Sequence, residues 1–126
     1  MTRLVVVAAV VALAACQLPG TAQGNGCSNV QIDWVDFVQV GSTQYVAGPG
    51  PVTELHEADL GPVVAHVKFK VDGNVCDPAY RPKDGDAAFL EPGTPVYQVS
   101  GQPVSQLVAA RRAGVIEAYR AQPPST

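Results

Sequence analysis

The chain has 126 residues, three cysteines and a formal net charge of −3. This length is enough for one small domain and not for two. The acidic balance and the lack of any run of basic residues argue against a nucleic-acid-binding protein. No second long apolar segment follows the N-terminal one, which excludes a polytopic membrane protein.

The first fifteen residues have the layout of a secretory signal peptide. Arg3 supplies a positive charge, and Leu4–Ala15 is an unbroken apolar stretch that ends in small residues before Cys16. As a helix this stretch would span about 18 Å, well short of the roughly 30 Å hydrocarbon core of a bilayer. We therefore predict a signal peptide at residues 1–15 rather than a membrane-spanning helix.

Residues Leu13–Cys16 resemble the lipobox of bacterial lipoproteins. The resemblance implies that the Cys16 thiol takes a diacylglycerol, that the signal is cut just before it, and that the new N-terminus stays in the membrane. Residues 16–26 then form a lipidated, flexible tether, because they contain three glycines and have little to bury. The remaining chain has seven Lys/Arg against eleven Asp/Glu, so the lipid would anchor it alone, on the extracytoplasmic face of the cell membrane.

Two cysteines remain, Cys27 and Cys76. Thiols outside the cytoplasm tend to oxidise, so we predict a disulfide between them. The alternative is a metal held by the two thiolates, but neither cysteine has Cys or His neighbours at ligand spacing.

The first half of the remaining chain predicts a β-hairpin. Apolar and polar residues alternate over residues 30–40, with a slip in phase at Val35–Asp36 that indicates a bulge or a bend. Gly41–Ser42 has the composition of a turn, and Gln44–Ala47 is the predicted partner strand. Gly48–Pro51 then breaks regular structure.

The clearest periodicity lies at Val63–Val71. Its odd-numbered residues are all apolar, and its even-numbered ones include His66 and two lysines, which predicts a nine-residue, half-buried strand. Residues 53–60 predict a short helical turn that is capped by Thr53 and stopped by Gly61–Pro62.

The last third of the chain predicts three strands and a helix. The predicted elements are strands at Ala87–Leu90, Thr94–Val99 and Val115–Tyr119, and a helix at residues 103–113 that begins at Pro103 and ends at Gly114. Residues 122–126 are predicted to be a loose tail. The fold class that follows for residues 27–121 is one mainly β domain, a small antiparallel sheet, barrel-like or sandwich, with one or two short helices.

A cluster of His56, Glu57 and, ten positions after the first histidine, His66 is the most chemically suggestive group. Imidazoles and carboxylates are common zinc ligands. However, the position four residues after His56 is Leu60, so the His-Glu-x-x-His helix motif is absent. The competing interpretation places both histidines on polar surface, and the sequence favours it.

Other carboxylates and aromatics have structural interpretations. Asp84–Asp86 lacks the EF-hand spacing for Ca²⁺ and is typical of a turn. The pair Asp33 and Asp36 could approach each other across the phase slip, but nothing requires it. The aromatic residues predicted to belong to the core are Trp34, Phe37, Tyr45, Phe69 and Tyr97.

The chain as a whole resembles a group of small, uncharacterised lipoproteins from high-GC Gram-positive, actinobacterial-type bacteria. The residues that carry the resemblance are Leu13–Cys16, Cys27, Trp34, Tyr45, Cys76, Gly93–Tyr97, Gly101 and Leu107–Ala110. The resemblance implies the lipid anchor and brings no activity and no catalytic residue.

Three hypotheses of function follow. The leading one is a non-enzymatic envelope lipoprotein whose anchored β domain binds a ligand or supports another envelope protein. The second is a small metal-dependent hydrolase centred on His56 and His66, and the third is a carrier that holds a small apolar ligand in the mouth of a barrel. The expected partners are the membrane, through the lipid, and an envelope protein or small ligand, with no cofactor and no nucleic acid.

Overall fold

A computed structural model describes residues 27, 31–48 and 53–124 of the chain. The predicted signal peptide, the lipidation site Cys16, the tether and most of the Gly48–Pro51 break lie outside the described residues. No helix within the described ranges is long and apolar enough to cross a membrane.

Within the described ranges, nine β-strands form a single sheet. Their bounds are β1 Phe37–Val40, β2 Thr43–Val46, β3 Glu54–Leu55, β4 Leu60–His66, β5 Phe69–Lys70, β6 Asp86–Ala87, β7 Pro95–Val99, β8 Leu107–Arg112 and β9 Val115–Ala121. The order across the sheet is β4-β7-β8-β9-β2-β1-β6-β5, and β3 pairs separately with β9. All pairs are antiparallel except β5 with β6, which run parallel. The prediction of a mainly β, barrel-like fold is confirmed, because this sheet curls into a half-barrel.

The inner face of the half-barrel is filled by its own side chains. Residues from strands far apart in the sheet order meet there in one buried cluster, which comprises Val38, Tyr45, Ala47, Val67, Ala87, Leu90, Val96, Val108, Ala110 and Tyr119. Because the sheet curls, Val96 of β7 and Ala87 of β6 share this cluster although four strands lie between them. Among the described residues, the inner face is therefore a packed core.

Two further clusters cover the outer face. Val99, Ala109 and Ile116 pack with Leu55 and Leu60 on one side. On the other side, Phe37, Val71 and Ala88 are buried beneath a shell of partly exposed residues, namely Trp34, Val46, Val75, Tyr80 and Phe89. We call this second group the Phe37 cluster.

The predicted strand Val63–Val71 is wrong in its extent. The chain runs as β4 to His66, leaves regular pairing at Val67 and Lys68, and resumes as β5. It changes partner at this break, from β7 to β6. As a result, alternate residues no longer share one environment: Val63 and Phe69 are exposed, whereas Val71 is fully buried.

The predicted helix at residues 103–113 is also wrong, because residues 107–112 form β8. Leu107 and Ala109 face the outer cluster while Val108 and Ala110 face the inner one. A strand that is buried on both faces shows no alternation, so its sequence does not distinguish it from a buried helix. Gly114 does not end a helix but, with Ala113, forms a tight hairpin turn in which both residues have positive φ.

The other predictions of local structure in this part of the chain are confirmed in whole or in part. The hairpin of β1 and β2 around Gly41–Ser42 is confirmed, although β1 begins at Phe37 and residues 31–35 are irregular. The strand at Thr94–Val99 is confirmed as β7, which begins at Pro95, whereas only Ala87 of the predicted strand Ala87–Leu90 lies in a strand, β6.

Two boundaries differ from those predicted. The helical turn before β4 is a 3₁₀ turn at Glu57–Asp59, where the Asp59 carboxylate, rather than Thr53, accepts the His56 N–H at 2.8 Å. At the C-terminus, the Gln122 N–H donates to the Gln44 carbonyl at 2.8 Å, so sheet pairing continues just past Ala121.

Cys27 and Cys76 form a disulfide with their Cα atoms 5.2 Å apart. Cys76 lies in the long irregular segment between β5 and β6, and Cys27 precedes β1. The bond therefore ties the entry of the domain to the segment that covers the Phe37 cluster.

Candidate functional site

A cleft of about 510 Å³ lies at the β5–β6 edge of the sheet, beneath the segment at residues 72–85. Its lining residues are Phe69, Val75, Tyr80, Lys83, Asp84 and Asp86. We call it the edge cleft. Concave sites that combine apolar walls with a few placed polar groups are the usual form of small-molecule sites.

The most unusual group in the edge cleft is the carboxylate of Asp86, a residue that is only 3% exposed. Its Oδ2 atom accepts the Tyr80 hydroxyl at 2.6 Å and the Lys83 backbone N–H at 2.8 Å. Both hydrogen bonds that the Asp86 carboxylate accepts from the described residues go to Oδ2. Oδ1 accepts none from them.

Tyr80 and Lys83 form the polar side of the edge cleft. Burial, together with the hydrogen bond to Asp86 and the charge of that carboxylate, raises the pKa of Tyr80 to about 12. The phenol therefore remains a hydrogen-bond donor across the physiological range. The Lys83 ammonium lies 5.9 Å from the Tyr80 ring centroid and makes no ion pair within the described residues.

Asp84 fastens the floor of the edge cleft to the rest of the sheet. It accepts the Gly41 N–H at 2.7 Å and the Lys68 ammonium at 3.1 Å. The Gly41 hydrogen bond, and then the Lys68 contact, lower the pKa of this carboxyl group. Its charge is thus already partnered within the fold.

Gly85 allows the chain to pass tightly between Asp84 and Asp86. Its φ is +91°, and a Cβ atom there would lie 2.5 Å from Cδ of Lys68. Its N–H donates to the Gln39 carbonyl at 2.9 Å, and its own carbonyl accepts the Lys68 N–H at 2.8 Å. Glycine is therefore the residue that fits here, since it combines the left-handed conformation with the close approach.

The apolar wall of the edge cleft includes a residue that sequence analysis placed in the core. Phe69 is 37% exposed, so the prediction that it belongs to the core is wrong, whereas Phe37 and Tyr45 are buried. The reason is the break after β4, which makes β5 the last strand of the sheet among the described residues.

The predicted metal ligands are not brought together. His56 and Glu57 lie at the start of the 3₁₀ turn, and His66 lies at the far end of β4, about 20 Å of strand away. Both histidines are exposed, and Glu57 is paired with Arg111. Among the described residues, no three His, Cys, Asp or Glu side chains are grouped to hold a metal ion.

A polar group at one end of the half-barrel was missed by sequence analysis. Arg112 Nη1 donates to Asp36 Oδ2 at 2.9 Å, and its guanidinium lies 4.5 Å from the Phe89 ring centroid. The Tyr119 hydroxyl lies 3.2 Å from Asp36 Oδ1 and 3.1 Å from Glu117 Oε2. We call Asp36, Arg112, Glu117 and Tyr119 the polar cluster.

Two members of the polar cluster, Glu117 and Tyr119, have raised pKa values. Burial raises the pKa of Glu117, and the hydrogen bond with Asp36 raises it further. Burial likewise raises the pKa of Tyr119, and the two carboxyl groups add to this effect. The sequence left open whether Asp33 approaches Asp36, and the carboxyl group that the structure places beside Asp36 is that of Glu117, far along the chain.

Comparison of the chain with protein family models, with curated proteins and with solved structures gives no match. The interpretation of its sites therefore depends on geometry and chemistry. No local sequence signal marks the edge cleft, because its walls come from β5, from β6 and from the segment between them. The one hint was the Asp84–Asp86 turn, whose glycine and carboxylates are now seen to build the floor.

Proposed function

We propose that this chain is a lipid-anchored protein of the extracytoplasmic face of the cell membrane, whose β domain binds a small ligand without catalysing a reaction. The observation that carries the binding function is the edge cleft, where a buried carboxylate, a tyrosine hydroxyl and a lysine converge on an apolar wall. Such a site selects a ligand by the shape of its apolar part and by the position of its polar groups. The lipid anchor is supported by the lipobox resemblance at Leu13–Cys16.

The position of the edge cleft suits a ligand that is met near the membrane. Val75 precedes Cys76, and Cys76 is bonded to Cys27. Cys27 follows Cys16 by eleven residues, which span at most about 40 Å when fully extended. A lipid on Cys16 would therefore hold Cys27 within that distance of the bilayer, with the cleft beside the disulfide that Cys27 forms.

The lining favours a ligand with an apolar body and a polar end. Phe69 and Val75 offer apolar surface, whereas Lys83 offers a charge that no side chain neutralises within the described residues. A ligand with an aromatic body, an anionic group for Lys83 and an N–H donor for the Asp86 carboxylate can use the apolar wall and both charged groups. The probe 1-anilinonaphthalene-8-sulfonate has this chemistry.

Binding of 1-anilinonaphthalene-8-sulfonate tests the cleft. We expect the folded full chain in detergent to bind one probe per protein, with Phe69→Ser weakening the affinity about fivefold through the loss of roughly 1 kcal/mol of apolar contact. Lys83→Gln is expected to weaken it as well. The matched control is Val63→Ser, which removes an exposed apolar side chain from the opposite edge of the sheet. Equal losses in Phe69→Ser and Val63→Ser would contradict a specific site.

Lipid labelling tests the anchor. We expect radiolabelled palmitate to enter the protein in cells of a lipoprotein-processing bacterium, and Cys16→Ser to abolish the label because the acceptor thiol is gone. Cys27→Ser is the control and should retain it. Mature wild-type protein that still begins with Met1 would rule out the anchor, and turnover of substrates in a hydrolase screen would rule out a non-enzymatic role.

A further inference from the structure

In the polar cluster, one hydroxyl proton, that of Tyr119, faces two carboxyl oxygens. The Tyr119 hydroxyl lies within hydrogen-bond distance of a carboxyl oxygen of Asp36 and of one of Glu117. A phenol has one proton and can donate to only one of them at a time. If both carboxyl groups were ionised, the other contact would set two lone pairs against each other in a partly buried site.

One additional proton resolves this conflict. With it, one carboxyl group donates while the other stays ionised against Arg112, whose guanidinium is 2.9 Å from Asp36. The cluster is then neutral, with one cation and one anion. The direction of the Glu117 pKa, raised by burial and by the Asp36 contact, agrees with this arrangement.

The charged and titratable groups that face Glu117 come from each neighbouring element. Tyr119 lies on β9 itself, Arg112 on β8 and Asp36 before β1. On β3, Glu54 is the cross-strand neighbour of Glu117 and is exposed. Arg112 is therefore the only cation in this set, and it already pairs with Asp36.

Asp36 is also the point where an irregular segment joins the sheet. Its carbonyl accepts the Ala47 N–H at 2.9 Å, which extends the β1–β2 pairing at the open end of the hairpin. Residues 31–35, just before it, are in no strand, and Trp34 packs on the surface of the Phe37 cluster. The side-chain contacts of Asp36 thus hold the segment that carries Trp34 against the end of the half-barrel.

We propose that Asp36 and Glu117 share one proton through Tyr119, and that loss of this proton at rising pH loosens residues 31–36 from the sheet. Below the transition the cluster is neutral and closed. Above it, two carboxylates face a single guanidinium and a single hydroxyl proton, so the Asp36 carboxylate is repelled by that of Glu117. Residues 31–36 are the part that yields, because they belong to no strand.

The single tryptophan of the chain makes this proposal measurable. We expect the emission of Trp34 in the wild-type protein to shift to the red as pH rises from about 4 to 9, with a midpoint above the ordinary glutamate pKa of about 4.3. Glu117→Gln keeps the shape of the side chain and is neutral at every pH. The Trp34 emission of this variant should therefore equal that of the wild-type protein at low pH and should not change over this range. A wild-type emission that does not change, or a transition that persists in Glu117→Gln, would overturn the proposal.

Two controls separate this transition from other titrations. Glu54→Gln, on the strand beside Glu117, and the double variant His56→Gln/His66→Gln should both retain the wild-type midpoint. If the transition disappeared in the histidine variant, it would belong to an imidazole, and the proposal would be overturned.

A measurement on the wild-type protein serves if Glu117→Gln does not fold. Carboxyl ¹³C resonances of Asp36 and Glu117 should both move in each of two titration steps, because a shared proton belongs to the pair. Independent single-step titrations of the two groups would overturn the proposal. None of these outcomes depends on whether the edge cleft binds a ligand.

Discussion

Replacing Cys27 and Cys76 together with serine is expected to lower the free energy of unfolding by about 4 kcal/mol. The bond closes a loop with a sequence separation of 49 residues, and the loss of chain entropy in the unfolded state scales with the logarithm of that length. For a domain of this size the change corresponds to a drop in Tm of roughly 15–30 °C. Thermal and urea unfolding followed by circular dichroism would measure both quantities.

The same experiment contains its own control. A reducing agent should lower the Tm of the oxidised wild-type protein to that of the double variant and should leave the variant itself unchanged. If the variant unfolded at the wild-type temperature, the cross-link would contribute nothing. The domain would then be stabilised by its core alone.

Phe37→Ala is expected to cost about 3–5 kcal/mol, which is the usual effect of removing a fully buried aromatic ring. Phe37 is 1% exposed, and Val75 and Tyr80 of the edge cleft pack against its cluster. The cavity left behind would lie behind the cleft. Probe affinity should therefore fall together with stability, as measured by urea unfolding and by probe titration on the folded fraction.

Val35→Ala is the matched control for Phe37→Ala. The two positions are two residues apart, but Val35 is 57% exposed. Its truncation should change the free energy of unfolding by no more than about 0.5 kcal/mol. Equal losses for the two variants would mean that Phe37 is not part of a packed core.

Stability is also expected to depend on pH through Glu117. The folded-state pKa of this group lies above its ordinary value, so the folded chain binds the proton more tightly than the unfolded chain does. Its contribution is fully present below the unfolded pKa of about 4.3 and is lost as pH rises through the folded value. This loss has the same direction as the loosening proposed for residues 31–36.

Errors in the sequence predictions occurred where a residue's environment came from distant parts of the chain. Leu107–Arg112 was predicted as a helix because burial on both faces removes the alternation that marks a strand. Val63–Val71 does alternate, but its two halves pair with different strands, so the pattern did not reveal the break.

The candidate sites were missed for a related reason. Tyr119 and Asp36 are 83 residues apart, and the pairing of β2 with both β9 and β1 brings them into contact. The edge cleft depends on where the sheet stops, and no short stretch of sequence specifies which strand lies at the edge. His56 and His66, by contrast, are close in sequence and are separated by the length of strand β4.

The sequence by itself determined the mainly β class, the β1–β2 hairpin, strand β7 and the pairing expected of Cys27 and Cys76. These follow from neighbouring residues or from counting, since turn chemistry, period-two alternation and cysteine number are properties of the chain alone. Only the tertiary structure decided the parallel β5–β6 pair, the edge cleft and the polar cluster. The physical reason is that burial and charge proximity are set by which surfaces meet when the sheet curls, and residues that are distant in sequence supply those surfaces.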